Sequence, residues 1–221
     1  MKKIVVLLSG GMDSTTLLHE LTECYDEVAA ISFNYGQKHK KELEYAKKTC
    51  KKLGVEHKIV DISVFNELID QSSLTGDIPV PHGHYEEESM KQTVVPNRNM
   101  ILIAMATAWA VNKGYENVAY AAHSGDHAIY PDCRPGFFFY LDRAVNEGNY
   151  GNVHLRAPYI NMDKTDIAEI GLKMGIDYDE ETWTCYEGGF SPCGKCGACV
   201  ERAEALELAQ KRIDMDKSHS H

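Results

Sequence analysis

An α/β fold, with an open, mostly parallel sheet covered by helices on both faces, is predicted by three features of this chain. Short runs of β-branched and apolar residues alternate with longer amphipathic segments along the sequence. The strand-like runs are continuously apolar, as in Val28–Phe33, which is the pattern of strands buried on both faces. A Gly10-Gly11 turn joins the first such run to a helix start, and ligands of open α/β sheets bind at such corners, beyond the carboxyl ends of the strands.

The elements follow in order. Ile4–Leu8 reads as the first strand and Ser14–Cys24 as the first helix, with Ser14 able to cap it. Val28–Phe33 is the second strand. Lys38–Leu53 is amphipathic and stops at Gly54, a common helix terminator. His57–Ile62 is the third strand, followed by a short helix near Val64–Ile69. Asp70–Pro96 carries prolines and the acidic run Glu86-Glu87-Glu88 and reads as a long irregular loop, which in a compact domain is functional or mobile. Arg98–Asn112 is helical, Val118–Ala122 a fourth strand, Pro135–Glu147 helical and Val153–Ala157 a fifth strand. Asp163–Met174 is a helix with Asp163 as N-cap, and Val200–Ile213 a C-terminal helix.

Bulk properties narrow the classes. At 221 residues the chain makes one domain with a small appendage. Twenty-three Lys and Arg against 33 Asp and Glu leave a net charge of −10, which argues against nucleic acid as a partner. No apolar run is expected to span a membrane, and the N-terminal run is too short for a signal peptide, so a cytoplasmic protein is expected. In that compartment the seven cysteines read as ligands or buried thiols rather than disulfides. The expected division is an α/β domain over 1–184, a Cys-rich segment with the last helix over 185–213, and a disordered tail over 214–221.

Ser9-Gly10-Gly11-Met12-Asp13-Ser14 is the most informative stretch. Glycines admit a ligand close to the backbone, and the unpaired N–H groups of a helix N-terminus favour an anion. A bare strand–turn–helix corner explains this less well, because two glycines, two hydroxyls and a carboxylate fall within six residues. No lysine follows Gly11, so this is not the P-loop of kinases, and the third glycine of the dinucleotide fingerprint is missing. The stretch resembles the SGGxDS loop of the PP-loop ATP pyrophosphatases, which cleave ATP between the α and β phosphates and transfer AMP to a substrate oxygen.

Cys185, Cys193, Cys196 and Cys199 form a C-x7-C-x2-C-x2-C array with glycines between the last three. Four thiolates about 2.3 Å from a zinc ion make a closed, structural site. An iron–sulfur cluster also suits Cys-x2-Cys-x2-Cys, although its fourth cysteine ordinarily lies downstream, before a proline. A redox Cys-x2-Cys needs a thioredoxin-like strand, which is not evident. Cys24, Cys50 and Cys133 read as incidental or buried thiols, with Cys133 the one set among polar residues.

Three polar segments follow strands or open helices at the expected ligand edge: Asn34-Tyr35-Gly36-Gln37-Lys38-His39, Val95-Pro96-Asn97-Arg98-Asn99, and Ala122 to Arg134. Singly, Asn97 reads as a plain N-cap and His39 and His127 as surface histidines. Together the three segments favour a pocket. Arg98 and Lys164 are candidate partners for phosphate or a carboxylate, and Asp126 and Asp132 for Mg²⁺ or heterocycle amino groups. Phe137-Phe138-Phe139-Tyr140 reads as core.

SGGMDS, NYGQKH, VPNRN, AHSGDHAIYPDCRP and TCYEGG-x3-CGKCGAC occur in the same order in the 7-cyano-7-deazaguanine synthase family of PP-loop enzymes, which the chain resembles over residues 3–213. That resemblance implies an adenine-nucleotide alpha-hydrolase-like, Rossmann-like fold with a small four-cysteine zinc segment. It implies ATP-dependent conversion of 7-carboxy-7-deazaguanine and ammonia into the nitrile, with ATP, Mg²⁺ and Zn²⁺ required. No glutaminase domain is expected from these residues, so free ammonia is the expected nitrogen source. The nucleotide-binding stretch it implies is Leu8, Ser9, Gly10, Gly11, Met12, Asp13, Ser14, Thr15, Thr16, Leu17 and Leu18. Asp13, Arg98 and Lys164 are the implied catalytic groups. Tyr35, Gln37, Asn97, His123, Asp126, Asp132 and Arg134 are assigned to the substrate pocket by position and resemblance. Small molecules are the expected partners, with a homodimer the expected assembly; a PP-loop tRNA-modifying thiolase is the alternative.

Overall fold

The computed structural model describes residues 1–37, 40–68, 72–74, 88–150, 152–187 and 189–219. Five parallel strands form one sheet in the order β3-β2-β1-β4-β5: β1 Lys3–Leu7, β2 Glu27–Asn34, β3 Glu56–Asp61, β4 Asn117–Ala119 and β5 His154–Arg156. The order reverses at β1, whose two neighbours are β2 (Val5 opposite Ala29) and β4 (Val5 opposite Val118). That reversal opens a crevice at the carboxyl end of β1.

Helices α1 (Met12–Cys24), α2 (Lys41–Leu53) and α5 (Lys164–Lys173) supply one face, where Leu17, Leu18, Ala46 and Ile167 pack with Ile4, Val6 and Leu8. Helices α3 (Arg98–Lys113) and α4 (Pro135–Glu147) cover the other, where Ile103, Ala106, Ala110 and Val145 meet Val5, Ala29, Ile31 and Phe33. Alternate residues of β1 thus serve opposite cores, which is why the strand is apolar at every position after Lys3. A single turn, α6 (Tyr178–Glu181), and the long α7 (Gly197–His219) complete the chain, with Ala205 and Ala209 of α7 packed against Ala168 of α5.

Several boundaries differ from expectation. Helix α1 starts two residues early: Gly11 is its N-cap, and the Ser14 hydroxyl instead donates back to the Gly11 carbonyl at 3.3 Å. Strands β4 and β5 are three residues each; beyond β4, Tyr120, Ala121 and Ala122 line a cleft. The expected disordered tail is helical to His219; the i, i+4 pairs Glu207–Lys211 and Gln210–Asp214 carry α7 past Ile213. The short helix expected near Val64–Ile69 is present as a 3-10 helix over Ser63–Leu68, and within the expected loop Glu88–Thr93 forms another; Lys38, His39, Ile69 and most of 70–87, including Glu86 and Glu87, lie outside the described residues. Phe137 and Phe138 reach the core, whereas Phe139 and Tyr140 on the outer side of α4 are exposed. One segment, Lys91–Lys113, is long and apolar enough to cross a membrane by length and composition, contrary to expectation. Here it divides into the 3-10 turn and α3, and Ile103, Ala106 and Ala110 of α3 are fully buried on the sheet.

Gly10 has φ +93°, and a Cβ there would lie 2.0 Å from the backbone carbonyl oxygen of Glu42. Gly10→Ala is expected to cost about 2 kcal/mol or more of folding stability, since both the dihedral and the contact resist a side chain. Urea denaturation checks this; a stability equal to wild type would contradict the packing described.

Candidate active site

The loop after β1 holds itself open through its own serines. Ser9 N–H donates to Ser14 Oγ at 3.2 Å, Gly11 N–H donates to Ser9 Oγ at 3.1 Å, and the two hydroxyls are 2.9 Å apart. The first helical bond of α1 runs from Thr15 N–H to the Gly11 carbonyl, so the N–H groups of Met12, Asp13 and Ser14 precede the ladder and point off the helix end. That geometry suits an anion.

A cleft of about 270 Å³ opens over this loop. Ser9, Gly11, Met12, Asp13 and Ser14 form its floor; Tyr35, Gln37 and Glu42 one flank; Arg98, Asn99, Asp126 and Cys133 another. Trp183, Thr184, Cys185 and Tyr186 form a fourth wall, so the boundary expected after residue 184 runs through the cleft itself. Trp183 N–H donates to the Gly10 carbonyl at 2.9 Å, which ties that wall to the floor.

Charge is concentrated beside the loop. Lys164 Nζ lies 3.3 Å from Asp13 Oδ2 and 2.7 Å from Glu201 Oε2. His123 Nε2 lies 3.7 Å from Asp13 and 3.6 Å from Asp126. Burial alone would favour a neutral amine at Lys164, but the carboxylates of Asp13, Glu201 and Asp126 override it and hold the ammonium charged, its pKa above the ordinary lysine range. Asp13 Oδ1 is buried with no hydrogen-bond partner among the described residues. A carboxylate oxygen in that state fits Mg²⁺, which takes one or two carboxylates and completes its shell with phosphate oxygens and water.

Of the residues expected in the site, Leu8, Ser9, Gly11, Met12, Asp13, Ser14, Tyr35, Gln37, Arg98, Asp126 and Lys164 line the cleft, and His123 sits directly behind Asp13. Gly10 supports the loop from below. Thr15, Thr16, Leu17 and Leu18 do not line it: all four are fully buried, Thr16 bonds Tyr178 at 2.7 Å, and the two leucines are core. Asn97 adopts a left-handed backbone (φ 56°) at the start of α3, and its side chain caps nothing. Asp132 does that work from across the chain, accepting from Asn99 N–H at 3.0 Å. Arg134 is exposed and donates to the His127 carbonyl at 2.8 Å, away from the cleft wall. Cys133 does line the cleft, with Asn99 Nδ2 donating to its sulfur at 3.3 Å.

Cys185, Cys193, Cys196 and Cys199 present their sulfurs within 4.8 Å of one another, and Cys193 and Cys199 are 4.0 Å apart. That spacing is close to what four sulfurs about 2.3 Å from one ion require, so the cluster can hold a metal ion. Burial works against charge at Cys193, yet backbone N–H groups of Lys195 and Cys196 pull its thiol down to about 7, the thiolate a metal needs.

The family described as "Queuosine biosynthesis protein QueC" matches residues 3–210. The chain belongs to the QueC family. Its relatives include 7-cyano-7-deazaguanine synthase 1 of Colwellia psychrerythraea, 56% identical over 93% of this chain and 94% of that one. The 7-cyano-7-deazaguanine synthase of Methanoregula boonei is 53% identical over 94% of this chain and 95% of its own. Among solved structures, the U34-tRNA thiolase NcsA from Methanococcus maripaludis with its [4Fe-4S] cluster aligns over 99% of this chain and 67% of its own, with a TM-score of 0.51 at 17% identity. The NH3-dependent NAD synthetase from Campylobacter jejuni aligns over 96% of this chain and 85% of its own, with a TM-score of 0.50 at 16% identity. At such identities these two establish the fold alone.

Sequence reasoning missed three parts of this QueC-family site. Glu201 lies in a segment read only as a C-terminal helix, Thr184 stands at the end of the α/β domain with no role given to it, and Glu42 sits in the first turn of a helix read as merely amphipathic. Glu42 Oε1 accepts from Gln37 Nε2 at 3.1 Å, and burial pushes its carboxyl from 4.5 up to about 7, with Gln37 and Arg98 pulling the other way. The folded state therefore prefers a neutral Glu42. Its contribution to stability is complete below about 4.5 and is lost as pH rises through about 7. Glu42→Gln should gain about 1 to 2 kcal/mol relative to wild type between pH 5 and pH 8, a discounted figure because the side chain is only half-buried. Urea denaturation at the two pH values measures it, and a difference that does not change with pH would contradict this environment.

Proposed function

We propose that this QueC-family chain is a 7-cyano-7-deazaguanine synthase, an ATP-dependent ligase that turns 7-carboxy-7-deazaguanine and ammonia into the nitrile. The observation that carries this reading is a phosphate loop without a P-loop lysine that shares one cleft with the Cys-rich wall, in a chain 56% identical to a named synthase over nearly its whole length.

A carboxylate resists attack by ammonia because oxide is a poor leaving group. In the proposed reaction the carboxylate oxygen attacks the α-phosphorus of ATP, and the α–β bond breaks with release of pyrophosphate. Ammonia attacks the carbonyl carbon; AMP departs with the oxygen, and the surplus proton goes to solvent. The amide oxygen is then adenylated in the same way, and loss of AMP and the remaining nitrogen-bound protons leaves the nitrile. Each oxygen removed consumes one ATP. No redox partner is required.

The protein's task is alignment and charge stabilisation. The N–H groups of Met12, Asp13 and Ser14 and the hydroxyls of Ser9 and Ser14 would hold the departing pyrophosphate. Lys164 and Arg98 would balance charge developing on the phosphates, and Asp13 would offer Oδ1 to Mg²⁺, which when bound neutralises phosphate oxygens. Tyr35, Gln37 and Asp126 face the space left for the heterocycle. Four cysteine sulfurs with no vacant position favour a structural Zn²⁺. We place the enzyme in the cytoplasm as a homodimer acting on small molecules; the thiolase alternative has only a shared fold in its support.

Incubation with ATP, ammonium and 7-carboxy-7-deazaguanine should yield the nitrile by mass spectrometry, with AMP rather than ADP formed. Asp13→Ala should lower AMP formation by on the order of a hundredfold or more while leaving the zinc content of the four-cysteine cluster unchanged. A folded, metal-loaded protein that makes no nitrile would contradict the proposal, and full turnover by Asp13→Ala would contradict the role of the loop.

A further inference from the structure

Glu201 belongs to neither the phosphate loop nor the metal cluster, yet it touches the centre of the charged site. Its Oε2 accepts from Lys164 Nζ at 2.7 Å, closer than the 3.3 Å between Lys164 and Asp13. Both partners are sheltered, with 9% of the Lys164 side chain and 17% of the Glu201 side chain exposed. The other oxygen of Glu201 lies over Gly125, 3.4 Å from where a Cβ would stand, and the His123 ring lies against the same glycine at 3.1 Å.

Both ends of this contact are built on fixed backbone. Lys164 is the first residue of α5, directly after Asp163, whose side chain accepts from Asp166 N–H at 2.9 Å while Asp166 accepts from Asp163 N–H at 3.0 Å. Glu201 stands in the first turns of α7, two residues past Cys199 and five past Cys196. Further along, Ala205 and Ala209 pack on Ala168, and Arg212 pairs with Asp166 at 2.8 Å, so α7 cannot slide along α5 without breaking that register. A lysine side chain has a flexible four-carbon stem and a compact, strongly hydrated charge, so its position must be imposed by its neighbours. If Asp13 turns towards Mg²⁺, Glu201 stays in contact with Lys164 at 2.7 Å, with Asp126 as the further carboxylate acting on the ammonium.

We propose that Glu201 is the positioning residue that holds Lys164 at the phosphate loop, delivered there by the helix that follows the Cys-rich segment. The inference rests on the role given to Lys164 above. Glu201 touches no reacting atom in this account; it acts through Lys164.

The test is steady-state kinetics and a double-mutant cycle on the full-length, metal-loaded protein, using ATP, ammonium and 7-carboxy-7-deazaguanine. Glu201→Gln should lower kcat on the order of tenfold to a hundredfold, with KM for ATP little changed. Metal content should stay at the wild-type level, and Glu201→Asp, which keeps the carboxylate, should recover part of the rate. Added to Lys164→Ala, Glu201→Gln should have little further effect, because the group it positions is gone. Circular dichroism and metal analysis separate these effects from misfolding. A defect of equal size in the Lys164→Ala background, or a Glu201→Gln enzyme with wild-type kcat beside an inactive Lys164→Ala, would overturn the inference. Wild-type turnover by Lys164→Ala would instead overturn the role of Lys164 on which it rests.

Discussion

The contact at Gly10 is the constraint on which the rest of this structure depends. Its left-handed backbone turns the chain from β1 into α1, and its missing side chain lets α2 approach until the Glu42 carbonyl occupies the space a Cβ would need. Its own carbonyl accepts from Trp183 N–H. Three segments far apart in sequence therefore meet at one peptide. The loop floor, the Glu42 flank and the Cys-rich wall of the cleft are set relative to one another by backbone geometry, which no rotamer change can relax. Around it, the serine hydroxyls satisfy each other and leave the helix-end N–H groups for a ligand.

The second organising feature is electrostatic. Three carboxylates, from α1, the segment after β4 and α7, surround one ammonium from α5. Such a cluster carries more negative than positive charge, which suits the arrival of a divalent cation together with a polyphosphate. It also places the cost of assembling the site on the sheet and the α5–α7 packing, which are rigid, rather than on loops. A metal ion held by the four cysteines would extend the same logic: by pinning the start of α7 it would fix where Glu201 can stand.

Much of this is legible in the sequence because it is local. The strand–Gly-Gly–helix corner, the Gly54 stop after α2, the Asp163 cap of α5 and the spacing of the four cysteines each follow from neighbouring residues. What is not legible depends on tertiary approach. The acceptor for the α3 N-terminus is Asp132 rather than the adjacent Asn97, a bond between positions 33 residues apart that no local signal encodes. Thr15 to Leu18 follow directly on the Ser9–Ser14 loop but rotate into the core, since a helix turns successive residues away from the cleft. Nothing in the sequence marks Glu42 or Glu201 out from the other acidic residues of their helices, and only the packing of α2 on Gly10 and of α7 on α5 makes them part of the site. The length of α7 is hidden for a different reason: its last turns are largely polar, and the side-chain pairs that sustain them carry no hydrophobic period.

The central claim is that this cleft removes both oxygens of a carboxylate by passing them to AMP. Labelling the carboxylate of 7-carboxy-7-deazaguanine with oxygen-18 and analysing the products by mass spectrometry tests it most directly. The account predicts that each AMP released per turnover carries one labelled oxygen, that pyrophosphate carries none, and that the nitrile forms. Label appearing in inorganic phosphate beside ADP, or AMP without label, would contradict it.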